Sequence, residues 1–135
     1  MVKKRWVYSP RKQSPAKVSD SLKQAVKDKA DKLVETVLIP QYVKPPPEAY
    51  QFNYLVNIYT KWYRHYFYFC STYNSPGPHA ISPSFEDKFA RLEYVAGDRF
   101  NLAYMRHTGQ WYEIAQAITL DDALAMIEEG ELFHP

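Results

Sequence analysis

The sequence predicts an α+β fold: an antiparallel β-meander of about five strands, with an N-terminal and a C-terminal helix packed on it. Three observations point there. Residues 87–116 alternate apolar with polar positions and are interrupted twice by glycine-bearing turn sequences. Aromatic residues make up 16% of the chain, and flat rings pack well on a pleated surface. A segment near each end instead repeats apolar residues at helical spacing. At 135 residues the chain holds one domain of ordinary size, and an apolar content of 46% argues against a wholly disordered chain.

Residues 1–17 read as a basic, flexible tail, because Lys3, Lys4, Arg5, Arg11, Lys12 and Lys17 face no acidic residue there. Within it, Trp6, Val7 and Tyr8 form a short sticky segment. A single domain is expected over 18–135. It begins with a helix over 19–39, capped by Ser19 or Asp20. Leu22, Ala25, Val26, Ala30, Leu33, Val34, Val37 and Leu38 form its apolar stripe. Pro40 is expected to end it, and a connector over 40–51 follows, stiffened by Pro45, Pro46 and Pro47.

Residues 52–73 are rich in Tyr, Phe, Trp, Val, Ile and Thr, which favours two strands turning near Tyr63–His65 over a helix. Asn74–Pro83 reads as a loop on its Pro and Gly content. The next three strands admit a register. Pairing Leu92 with Tyr104 and Tyr94 with Leu102 needs a three-residue loop, Gly97-Asp98-Arg99. Pairing Tyr104 with Ile114 needs another, Thr108-Gly109-Gln110. The strands span 52–116 in all. A closing helix over 119–129 has Thr119 as its cap, Ala123, Leu124 and Ile127 as its inner stripe, and Gly130 as its stop.

Charge is uneven along the chain. Residues 1–44 carry a net +7, residues 45–107 a net +1, and residues 108–135 a net −6. The ends therefore attract each other, or the basic end meets an anionic partner. The single cysteine, Cys70, excludes an internal disulfide and fits a reducing cytoplasm, where the protein is expected. The basic start lacks a following apolar stretch, so no secretory signal is expected there. No apolar run approaches the roughly 20 residues of a membrane span.

Several segments carry a family likeness: Tyr59-Thr60-Lys61-Trp62-Tyr63, Phe89-Ala90-Arg91-Leu92-Glu93-Tyr94, Tyr104-Met105-Arg106-His107, Gly109-Gln110-Trp111 and Thr119-Leu120-Asp121-Asp122-Ala123-Leu124. Through them, residues 53–133 resemble a small uncharacterised bacterial family of unknown function with an aromatic-rich antiparallel meander. The basic extension and the Pro-rich connector are similar to its cyanobacterial-type members. The likeness implies the fold and carries no activity.

The register sets Phe89 opposite His107 and His107 opposite Trp111. The row beside it holds Arg91, Met105 and Glu113. With Arg106, these residues make a candidate binding face: Phe89 and Trp111 for stacking, His107 as donor or acceptor, Arg91 or Arg106 for an anion, and Glu113 as a possible ion-pair partner of Arg91. Cross-strand packing under a helix or under the tail is the commoner origin of such a row. The basic arm, Lys3, Lys4, Arg5, Trp6, Arg11 and Lys12, is a second candidate contact. Lys61-Trp62-Tyr63-Arg64-His65-Tyr66 interleaves charge with rings as single-strand binders do, but a half-buried strand alternates in the same way.

Cys70 and the four histidines lack metal-ligand spacing, so no metal and no cofactor is expected. Cys70 reads as a small buried hydrophobe. The adjacent acids Glu86-Asp87 and Asp121-Asp122 sit at a strand start and in a helix's first turn, where they need no catalytic explanation. No nucleophile, base and orienting group converge. The sequence therefore points to a non-catalytic binding or assembly module with a protein partner. An RNA- or DNA-binding accessory protein is the alternative, and an enzyme using His107 is the weakest reading.

Overall fold

A computed structural model describes residues 17–46, 52–77, 80 and 82–135. The basic arm, with Lys3, Lys4, Arg5, Trp6, Arg11 and Lys12, lies outside the described residues. The fold is α+β. Helix α1 (Asp20–Leu33) runs through a π-helical stretch (Val34–Leu38) into α2 (Ile39–Tyr42). Five strands follow, β1 (Tyr54–Tyr63), β2 (Tyr66–Asn74), β3 (Ser84–Ala96), β4 (Arg99–Met105) and β5 (Trp111–Ile118). Helix α3 (Leu120–Glu129) closes the chain. Each strand pairs antiparallel with the next, in the order β1-β2-β3-β4-β5. Among the described residues, no helix is long and apolar enough to cross a membrane.

Ser19 caps α1, its hydroxyl accepting from the Leu22 amide at 3.2 Å. Val26, Ala30 and Leu33 recur on one face and are buried. Pro40 does not end this helix as expected. The chain stays helical to Tyr42 because the π-helical stretch precedes the proline. A wider turn spreads the carbonyls that the proline ring would otherwise meet, and its missing N–H costs little at the start of a new segment. Helix α3 behaves as expected. The Thr119 hydroxyl accepts from the Asp122 amide, and Gly130 takes a left-handed φ of 74° at the stop.

The expected hairpin register is corrected by two residues. Leu92 pairs with Leu102, not Tyr104, and Tyr94 pairs with Phe100, not Leu102. The connection is the two-residue turn Gly97-Asp98, and a bulge between Tyr94 and Ala96 absorbs the odd residue. Glycine at φ 52° suits the tight turns that match sheet twist. Likewise Tyr104 pairs with Tyr112, not Ile114. That turn closes with the Arg106 amide on the Gln110 carbonyl at 2.9 Å, leaving His107, Thr108 and Gly109 as its loop. A slip of two residues preserves the faces, so the expected inner set survives. Leu92 and Leu102 are fully buried, while Tyr94, Tyr104 and Ile114 are half-buried against the same core.

Both helices bury their stripes on this inner face. Phe67, Phe69, Leu92, Phe100 and Leu102 meet Val26, Ala30, Leu38, Ala123 and Ile127 in one cluster. A polar clasp fixes α1 across the edge strand β1. The Lys27 ammonium donates to the Thr60 carbonyl and hydroxyl, both at 3.0 Å, and lies 3.2 Å from the Asp31 carboxylate. The Thr60 hydroxyl donates to Asp31. All three ammonium donors are engaged, so this is a closed structural network that also occupies an edge carbonyl.

Cys70 faces the other way and is fully buried under its neighbours. Burial pushes its thiol up in pKa, against the opposing pull of Lys61 and Lys88. Because the thiolate is the reactive form, the native protein should alkylate far more slowly at neutral pH than the unfolded chain. Timed labelling with and without denaturant checks this. Rapid stoichiometric labelling of the native protein would contradict it.

Candidate functional site

Side chains alternate across a strand, so Tyr66, Tyr68 and Cys70 point away from the faces of Phe67 and Phe69. This second face of the sheet carries Lys61, Tyr66, Tyr68, Lys88, Arg91, Glu93, Trp111 and Glu113. No described helix residue takes part in their contacts. The face is open among the described residues.

Arg91 lies at its centre. Its guanidinium stands 4.8 Å from the Tyr66 ring centre and 5.0 Å from that of Trp111. Two aromatic faces thus hold one cation between them. Tyr68 extends the row, 6.1 Å from Tyr66 and 5.9 Å from Trp111. Burial pushes the Tyr68 phenol up in pKa, with Arg91 opposing. The Arg91 Nε is buried without a hydrogen-bond partner. No described residue accepts a hydrogen bond from the guanidinium, because the neighbouring acids are engaged elsewhere. Glu93 is 3.3 Å from His65 and accepts from Asn101, and Glu113 accepts from Gln116 at 2.6 Å. Glu86 holds both Lys61 and Lys88 at 3.1 Å. That hydrogen bond keeps the Lys88 pKa up.

The expected ladder of Phe89, His107 and Trp111 is not assembled. A bulge on β3 separates the pairs Phe69↔Ala90 and Cys70↔Lys88. The extra residue is Phe89, which turns inward beside Phe69 and is 4% exposed. An added residue reverses the alternation, which is why Phe89 does not share a face with Arg91. Met105, not His107, pairs with Trp111. His107 stands exposed on the β4–β5 turn. There it lines a shallow cleft of about 390 Å³ with Phe89, Arg106, Leu132 and His134. Arg106 leans over Tyr112 at 5.2 Å.

The predicted residues therefore divide in two. Arg91, Trp111 and Glu113 share the open face, whereas Phe89, Arg106 and His107 gather at the sheet's end. The Arg91–Glu113 ion pair is not formed, since buried Ala103 stands between them in the pairing. Tyr66 and Tyr68 complete the face; Tyr66 enters the sequence reading only within the Lys61–Tyr66 segment, and Tyr68 was missed. Their alternation with Phe67, Phe69 and buried Cys70 was a signal available to find them.

This arrangement can stack planar groups and meet an anion. It holds no converging set for proton transfer or nucleophilic attack, and no described group of His, Cys, Asp and Glu is arranged to hold a metal ion. No curated protein and no solved structure matches the chain. A model of the DUF3024 family, described as a domain of unknown function, matches residues 18–135, which include the whole sheet, its open face and both helices, and the chain belongs to that family.

Proposed function

We propose that the chain is a non-catalytic binding or assembly module that holds a protein partner on the open face of its sheet. The basic N-terminal arm would supply a second contact. One observation carries the reading: Arg91 is fixed between Tyr66 and Trp111 with no acceptor among the described residues, on a face that no described helix covers. Aromatic rings and arginine are the side chains that dominate protein interfaces, because they bury area at low entropic cost and add directed hydrogen bonds. Charge favours protein over nucleic acid here. Lys61, Lys88 and Arg91 are balanced by Glu86, Glu93 and Glu113, whereas a phosphate backbone calls for a surplus of cations.

The nucleic-acid reading rests on the arm, whose charge is wholly positive. The enzyme reading has least support, since His107 sits on an exposed turn and no described carboxylate bonds to it. The single buried thiol is in keeping with a reducing cytoplasm, and the family likeness with a bacterial source.

The test uses the full chain as bait, beside Trp111→Ala and Tyr66→Ala. Both variants should lose a stoichiometric protein partner while melting within a few degrees of the parent protein. Retention of the partner by both variants would overturn the reading. So would a salt-sensitive shift of RNA or single-stranded DNA that needs these rings, with no protein retained.

A further inference from the structure

We infer that the occupant of the open face is a second copy of the chain, packed face to face about a two-fold axis that runs along β4 over Ala103. The inference rests on the proposed role of this face. Across three strands, one row reads Arg91 on β3, Ala103 on β4 and Glu113 on β5. Neighbouring strands lie about 4.8 Å apart, so the row spans roughly 10 Å. It has a cation at one end, an anion at the other and a methyl group in the middle.

A two-fold axis lying between two sheets, parallel to the strands, reverses such a row from left to right. Each Arg91 then stands over Glu113 of the second copy, and each Glu113 over Arg91. An isologous interface requires a patch that complements itself, and this row does so by its order of charge. Ala103 is 1% exposed beneath the side chains of its own face, with Arg91 and Trp111 meeting across β4, so the two copies touch through Arg91, Glu113 and Trp111 rather than through the methyl group. Trp111 on β5 supplies apolar area within the overlap of β3, β4 and β5, and the equal numbers of cations and acids on the face remove net repulsion between copies. The guanidinium of Arg91 receives a carboxylate that no described residue of its own chain provides.

Sedimentation of the full chain over a range of concentrations tests this. The parent protein should be a dimer. Arg91→Glu and Glu113→Arg each set like charges against each other twice across the axis and should weaken the dimer by more than about a hundredfold. The double variant R91E/E113R restores the order of charge in reverse and should dimerise again. Glu113 is exposed, so Glu113→Arg decides the matter even if Arg91→Glu fails to fold. A monomeric parent protein overturns the inference. So does a dimer untouched by Glu113→Arg, or a folded double variant that stays monomeric. A monomeric parent whose Trp111→Ala variant still loses a different protein would overturn the second copy while sparing the role of the face.

Discussion

Leu102→Ala should cost about 2–5 kcal/mol of folding stability, measured by denaturant titration. Leu102 is fully buried at the centre of β4, between Leu92 on one side and Ala115 on the other. Deleting its branched end removes transfer energy and leaves a cavity. The cavity is slow to collapse because β4 is tied to both neighbours. Helix α3 supplies part of the roof through Ala123 and Ile127, so the variant should also loosen that helix. A loss below about 1 kcal/mol would mean that β4 does not carry the core.

Phe67→Ala should cost about 3–5 kcal/mol, while the adjacent Tyr66→Ala should cost under about 1 kcal/mol. Phe67 is fully buried, 5.0 Å from the Trp62 ring and 5.7 Å from that of Phe69, and it pairs with Leu92. Tyr66 is its immediate neighbour in sequence but lies on the open face over Arg91. The two substitutions remove rings of nearly equal size one residue apart. Their difference in melting therefore measures which face is core, and their difference in partner retention measures which face recognises. Equal losses of stability would show that the second face is also covered, and the proposed binding role would fail.

Local chemistry made much of this molecule legible. Thr119 and Gly130 bracket α3 because a hydroxyl cap and a left-handed stop are satisfied within a few residues. The hairpin turn at Arg64–His65 lay where the aromatic run was expected to reverse. The inner set of Leu92, Tyr94, Leu102, Tyr104 and Ile114 was legible because alternation depends only on parity. Pro40 misled because the rule that a proline ends a helix does not contain the widened turn that precedes it here.

By itself, the sequence determined the class of fold, the order of the strands, the N-terminal helix caps and the inner set Leu92, Tyr94, Leu102, Tyr104 and Ile114, since each depends on neighbours close along the chain. Only the tertiary structure decided the register and the bulges. Parity cannot distinguish pairings that differ by two residues, and an inserted residue reverses every face beyond it. That is why Phe89 belongs to the core and His107 to a turn. It is also why Arg91 meets Tyr66 and Trp111, residues 25 and 20 positions away, through pairings across β2, β3, β4 and β5.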